Sequence, residues 1–329
     1  MENIVDTLFP AHPTRRHVPR IIPPEEIPAF NEEELREAAS SLQNKKAPGP
    51  DGIPSEILKA ITRACPQALL KMFNCCLKEG TFPKRWKQQR LVLISKGKGD
   101  PETPAAYRPL CMLDTAGKLL ERLLKPRLTV AVQRAGGLCD RQYGFRKGRS
   151  TIGAIAEVTR TFHAAQQGRH YSKKVVLLAT LDMRNAFNSA NWTEMLTVLE
   201  HRFRIPEYLL RMVESYLHDR DLIYETAMGT GRKRITTGAA QGSILGPDLW
   251  NVFYDGILQM ETPENSFLVG YADDIAAIIV ARDTEEAQWR LNQVMRRVFS
   301  WLEEHGLTLA TEKTEIVLLT RRQCGKSSP

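Results

Sequence analysis

The strongest constraint on this chain is a pair of apolar runs, Phe267-Leu268-Val269 and Ile275-Ala276-Ala277-Ile278-Ile279-Val280, bridged by Tyr271-Ala272-Asp273-Asp274. An Asp-Asp pair between strands usually reflects nothing more than turn propensity. The flanks here argue for more. Strands that are apolar on both faces are interior strands, so two adjacent carboxylates at their junction carry a desolvation cost that a cation would relieve. A third acid shares the setting: Asp182 closes the run Val175-Val176-Leu177-Leu178-Ala179-Thr180-Leu181. Strand-end carboxylates are hard oxygen donors, suited to Mg²⁺ more than to zinc. Successive strand residues point to opposite faces, so Asp273 and Asp274 reach one spot only if the turn reorients one of them.

The rest of the pattern mixes helices with hairpins. Asn31 and Glu34 stand at capping-box spacing ahead of Leu35, Ala38, Ala39 and Leu42, which predicts a helix running to about Lys45. The turn-rich segment 46–52 ends it. Helical periods are expected over 113–132, despite Pro126, and over 192–199, 208–217, 249–258 and 285–304. Strands are expected over 90–94, 175–181, 222–227, 234–237, 267–272, 275–281 and 315–319. Hairpins set between helices indicate an α+β fold, not a doubly wound parallel sheet. Residues 1–30, rich in proline, are expected to form an extended N-terminal arm, and 321–329 a frayed tail.

With 329 residues, 42% of them hydrophobic, the chain can bury a sizeable core, which rules out wholesale disorder. No stretch approaches the roughly 18 apolar residues of a membrane span, and the N-terminus has no apolar core of signal-peptide length. An unsecreted, intracellular protein is expected, with no membrane partner. The six cysteines show no zinc-ligand spacing and fit reduced thiols. A formal charge of +8 favours a polyanionic partner.

Several short motifs, in order, complete the reading. Asp182 with Ala186-Phe187, then Gln241-Gly242-Ser243-Ile244-Leu245-Gly246-Pro247, then Tyr271-Ala272-Asp273-Asp274, resembles the palm of a reverse transcriptase. The wider resemblance is to the reverse transcriptase domain of non-LTR (LINE-like) retrotransposon polyproteins. It is carried by Lys45-Lys46-Ala47-Pro48-Gly49-Pro50-Asp51-Gly52-Ile53-Pro54, by Tyr107-Arg108-Pro109-Leu110 with Gly117-Lys118 and Leu120-Glu121-Arg122, and by Gln142-Tyr143-Gly144-Phe145-Arg146 with Gly148-Arg149-Ser150-Thr151.

The resemblance implies right-hand polymerase fingers (about 31–170) and palm (about 171–320), an antiparallel palm sheet packed on helices, and a thumb absent or truncated. It implies an RNA-directed DNA polymerase that transfers deoxynucleotides onto a primer 3′-hydroxyl by two-metal chemistry. By similarity Asp182, Asp273 and Asp274 are the catalytic acids and hold two Mg²⁺ ions, with Mn²⁺ as an alternative. Lys96, Arg108, Phe187, Gln241, Gly242 and Lys313 are the nucleotide-binding set, with Lys98 the alternative to Lys96. In that set Phe187 would exclude a 2′-hydroxyl and Lys313 would protonate the leaving group. Out of context Phe187 would read as a core aromatic.

Arg146, Lys147 and Arg149, set around Tyr143 and Phe145 together with Arg141, suit template contact by charge and stacking. The expected partners are an RNA template, a DNA primer and deoxynucleoside triphosphates, and the expected location is nuclear and cytoplasmic. The chain departs from the family at Asn188, where a second acid is common, and at Ala240 before Gln241. No endonuclease, primer grip or cysteine-histidine knuckle is evident in the sequence. The alternative reading is therefore an inactive reverse-transcriptase remnant that only binds nucleic acid. An RNA-templated RNA polymerase is disfavoured by Phe187 and Ala272.

Overall fold

The computed structural model describes residues 1–13, 27–97, 100–167 and 173–320. Lys98, Cys324 and the tail 321–329 lie outside them, as does much of the N-terminal arm. The chain divides into two compact units, one of residues 1–137 with 187–253, the other of 138–186 with 254–329. Each carries a four-stranded sheet and its own helices, so the fold is α+β.

In the first unit the sheet runs β2-β1-β4-β5. β1 (Gln88–Ser95) lies antiparallel to β2 (Tyr107–Leu113) and parallel to β4 (Arg220–Thr226), which makes a hairpin with β5 (Gly229–Ile235). The sequence does not predict β2, because Pro109 interrupts it. The proline is tolerated because β2 is an edge strand, where one missing N–H costs no ladder bond.

Helices α2 (Glu32–Ser40), α3 (Ser55–Ala64), α4 (Pro66–Glu79), α5 (Thr115–Arg134) and α9 (Glu207–Leu217) also belong to this unit. Phe73, Phe82 and Tyr216 are fully buried there, and Phe82 packs edge-on against both Trp86 and Tyr216. The expected capping box at Asn31 and Glu34 forms, but α2 stops at Ser40 and not near Lys45. Ser40 and Ser41 each donate their hydroxyl to a carbonyl of the last turn, which competes with helix continuation.

The segment 46–52 is a built loop. Asp51 N–H donates to Asp114 Oδ1 at 3.0 Å, and a Cβ on Gly49 would come within 2.4 Å of the Asp114 backbone nitrogen. Residues 2–8, expected to be extended, instead form helix α1 (Glu2–Leu8). Its apolar side chains Ile4, Val5 and Leu8, with Phe9 beyond, are buried, because the alternation of Asp6 with these residues suits an amphipathic turn. Thr237 Oγ1 donates to Pro10 O, and His12 N–H to Thr236 Oγ1.

In the second unit the four strands pair antiparallel, in the order β6-β7-β3-β8, with β3 (Val175–Asp182) and β7 (Asp274–Ala281) inside, β6 (Ser266–Tyr271) and β8 (Glu315–Leu319) outside. Of the apolar runs, those of β3 and β7 are the interior strands, whereas Phe267-Leu268-Val269, expected to be interior too, lies in the outer strand β6. Helix α6 (Thr151–Ala165), which low-propensity residues hide in the sequence, packs Ala154, Val158 and Phe162 over Val176, Val269 and Ile278. Helix α11 (Thr284–Glu304) packs against β3 and β7. Residues 141–143 add a short parallel bridge to the outer edge of β6: Tyr143 N–H donates to Gly270 O, and Gly270 N–H to Arg141 O.

Candidate active site

The acids meet at the end of the second unit's sheet. β3 and β7 pair in a register that sets Asp182 directly opposite Asp274, so both carboxylates project from the same face. Tyr271 and Asp274 pair across the tight turn, leaving Ala272 and Asp273 as its two loop residues. Ala272 has φ +57° while Asp273 has an ordinary negative φ, the pattern of a II′-type hairpin turn with the positive value at its first position. Asp273 therefore escapes the pleat's alternation. Asp273 stands in the turn, and Asp274 is the acid in register with Asp182.

Charge crowds this turn. Burial, and then repulsion from Asp182, push the Asp273 carboxyl above the usual carboxylate range. Asp274 is raised as well, by desolvation and then by Asp273 and Asp182. Lys313 answers this charge: its Nζ donates to Asp182 Oδ2 at 2.6 Å, and this bond raises the lysine's own pKa.

The backbone delivers Lys313 there. Beyond β3, Arg184 N–H donates to Thr308 O and Ala310 N–H to Asp182 O, so 308–310 continue the sheet, and a 3-10 turn at Thr311–Lys313 brings the lysine back. An open cavity of about 540 Å³ borders the cluster, floored by Leu178, Val269 and Ala276 and rimmed by Asp182, Asp274 and Lys313.

Among the described residues no three His, Cys, Asp or Glu groups converge on one point at metal-binding distance. The donor chemistry fits a hard divalent cation all the same. Asp182 helps to raise the proton affinity of both Asp273 and Asp274, and such a cation would relieve that repulsion.

Two residues that the sequence reading passed over hold this turn. Gly144 lies so close beneath it that a Cβ would come within 2.0 Å of the Ala272 backbone nitrogen. Tyr254, fully buried on α10 (Gly246–Leu258), donates its hydroxyl to Asp274 O at 3.2 Å. Gly144 stands in a quoted motif, Gln142-Tyr143-Gly144, and that was its signal. Tyr254 left none beyond its place in a helix.

In the first unit, Lys96 and Arg108 lie at the same end of the β1–β2 hairpin, where Ser95 pairs with Tyr107. Arg108 is exposed, and Lys96 donates to Ala105 O at 2.8 Å. Phe187 is 9% exposed and stacks on Trp250, ring centroids 5.0 Å apart. Its carbonyl accepts from Ala239 N–H at 2.7 Å, which ties it to the strand of chain leading into Gln241. Gln241 O in turn accepts from Cys111 N–H at 2.8 Å, and Gly242, at φ +116°, presses against the Cys111 carbonyl. Phe187, Gln241, Gly242 and the strand bearing Arg108 thus gather in one place. Asn188 is buried there, its carbonyl accepting from Thr237 Oγ1.

The basic loop of the second unit is partly occupied with itself. Arg146 donates to the carbonyls of Cys139 and Gln142, and burial lowers its pKa. Arg149 pairs with Asp140 at 2.8 Å and lies over the Tyr143 ring, while Lys147 is exposed. Of the basic run 84–90 in the first unit, Lys87 is buried, its Nζ 3.5 Å from Ser215 Oγ.

Residues 94–327 match the family described as reverse transcriptase (RNA-dependent DNA polymerase). The chain belongs to this family. As a reverse transcriptase domain it is 31% identical over 305 residues to the 115 kDa protein assigned to the type-1 retrotransposable element R1DM of Drosophila melanogaster, covering 92% of this chain and 28% of that protein. It is 28% identical over 303 residues to the RNA-directed DNA polymerase from mobile element jockey of the same species, covering 90% of this chain and 32% of the relative. The chain spans about a third of the length of the curated relatives it matches. These relatives make it homologous to the reverse transcriptases of non-LTR retrotransposons.

Among solved structures this reverse transcriptase domain resembles apo telomerase from Candida Tropicalis truncated from its C-terminal domain, with TM-score 0.53 and 14% identity over 82% of this chain and 57% of that one. That likeness concerns the fold. Among the described residues no helix is long and apolar enough to cross a membrane.

Proposed function

We propose that this chain is the polymerase centre of a non-LTR retrotransposon, an RNA-directed DNA polymerase that adds deoxynucleotides to a primer 3′-hydroxyl on an RNA template. The observation that carries the reading is the register that sets Asp182 opposite Asp274, with Asp273 in the turn beside them and Lys313 on Asp182. In this reading the second unit's sheet is the palm, and the β1–β2 hairpin belongs to the fingers.

Asp182, Asp273 and Asp274 would hold two Mg²⁺ ions, or Mn²⁺, which when bound supply the charge that lets a 3′-hydroxyl approach a triphosphate. The chain's own residues do the rest. Lys313, protonated and hydrogen-bonded beside the acids, is placed to give a proton to the departing pyrophosphate. Arg108 and Lys96 meet the triphosphate. Phe187, braced by Trp250, limits space beneath the sugar and selects deoxynucleotides. Gln241 and Gly242 contact the base pair's edge and backbone. Lys147, with Arg146 and Arg149 behind it, faces the template. Such a protein works where its RNA and target DNA are, in the nucleus and cytoplasm.

The test is primer extension on an RNA template with purified chain, Mg²⁺ and deoxynucleotides. Metal-dependent extension that Asp273→Ala abolishes without loss of thermal stability supports the enzyme. Extension retained in Asp273→Ala, or template binding with no extension by the unaltered chain, sinks it; the second outcome identifies a nucleic-acid-binding remnant.

A further inference from the structure

Glu121 is a carboxylate in the wrong place for an ordinary helix residue. It sits in the middle of α5, 1% exposed, where an unpaired charge would be prohibitive. Its Oε2 accepts two backbone hydrogen bonds, from Ile244 N–H at 2.7 Å and Leu245 N–H at 2.9 Å. Those amides are the last two before Gly246 opens α10 and the first two after Gln241-Gly242-Ser243. The opposing charge is also buried: Arg220, 3% exposed, acts on Glu121 electrostatically and spends only Nη1, on Tyr216 O at 2.9 Å. Its Nε and Nη2 have no hydrogen-bond partner among the described residues.

The loop that Glu121 grips is anchored at its other end as well. On its entering side one bond, Cys111 N–H to Gln241 O, fixes it to β2, and Gly242 touches the Cys111 carbonyl so closely that a Cβ would lie 2.5 Å away. On its leaving side Ser243 Oγ accepts from Gly246 N–H at 2.9 Å, and Glu121 takes the next two amides upstream. The Gln241 side chain has no hydrogen-bond partner among the described residues. A flexible amide presented from a loop clamped at both ends is a preorganised recognition group: its backbone cannot retreat, so little ordering entropy is lost when it engages a ligand.

We infer that Glu121 is a positioning residue for deoxynucleotide binding, a buried carboxylate that clamps the Ile244 and Leu245 amides and so fixes Gln241 and Gly242 where the incoming nucleotide meets them. This rests on the proposed function, in which Gln241 and Gly242 contact the nucleotide. Glu121 itself touches no substrate. Removing the carboxylate frees two amides and the loop with them, and leaves the acids of the other unit and the basic template loop unaltered.

The test compares Glu121→Ala, Glu121→Asp and Glu121→Gln in the full chain. Two readouts are taken: deoxynucleotide affinity of the preformed primer–template complex, and amide hydrogen exchange at Ile244 and Leu245. Glu121→Asp keeps the charge but withdraws it by one methylene, so it serves if the alanine variant does not fold. The expected result is faster exchange at the two amides and a deoxynucleotide affinity at least tenfold weaker in Glu121→Ala and Glu121→Asp. Glu121→Gln, which keeps an acceptor, should stay within about threefold, and primer–template affinity should be unchanged in all three. Faster exchange with undiminished deoxynucleotide affinity would make Glu121 a structural cap only and overturn the inference by itself. A wild-type chain whose primer–template complex binds no deoxynucleotide overturns the functional reading, and the inference with it.

Discussion

Asp273 shows how a residue can be costly to the fold and useful to the site. Its pKa is raised by burial and then by Asp182, so the native state holds its proton more tightly than the unfolded chain does. The stability linked to that proton is fully present below the unfolded value, near 3.9 for aspartate, and is lost as pH rises through the raised native value. At neutral pH the charged form is therefore a net cost. Replacing it by a neutral isostere should raise stability at pH 7. The Tm advantage of Asp273→Asn over wild type should shrink as the pH falls through that window. A Tm unchanged or lowered at pH 7 would show that the turn tolerates its charge without cost.

At the scale of elements, the hairpin of β6 and β7 is held less by its own turn than by what lies against it. The segment 141–143 pairs with the outer edge of β6, and Gly144 then passes within contact of the Ala272 backbone. A methyl group there has no space, since its nearest neighbours are backbone atoms that cannot rotate away. Gly144→Ala should cost about 1–3 kcal/mol through forced displacement. It should also displace Asp273, so extension activity should fall well beyond what the lost stability explains. Chemical denaturation and a primer-extension assay on the same preparation separate the two effects. Wild-type activity in a destabilised variant would show that the turn does not depend on this contact.

At the scale of the whole molecule, the first thirteen residues are part of a core. Ile4, Val5, Leu8 and Phe9 are buried, Asp6 pairs with Lys233 at 2.6 Å, and Pro10 and His12 bond to Thr237 and Thr236, the two residues after β5. Burial of four such side chains, discounted for a partly compact unfolded state, is worth on the order of 5 kcal/mol. A chain lacking residues 1–13 should accordingly unfold at a markedly lower urea concentration, monitored through Trp86 and Trp192, which lie in that unit. An unchanged midpoint would mean that α1 is an ornament.

What the sequence determined by itself was local and chemical. Runs apolar on both faces marked β3 and β7 as interior strands, though the same signal misplaced the outer strand β6, and acids at their ends marked the candidate site, because both signals need only a few neighbouring residues. The Asn31 capping box, helix α11 and the α+β class were legible for the same reason. The rest depended on residues far apart in the chain. β2 was hidden by a proline that only an edge position excuses, and α6 by small and β-branched residues that the sheet beneath it stabilises. Helix α1 was hidden by its place in a proline-rich arm, and the burial of Lys87 depends on the unit packed around it. The turn geometry that frees Asp273 from the pleat, the register that sets Asp274 opposite Asp182, the Lys313 bond, and the grip of Glu121 on amides more than a hundred positions away are products of tertiary structure. Spacing along a chain fixes which face a side chain takes within its own element; only packing decides which other element that face will meet.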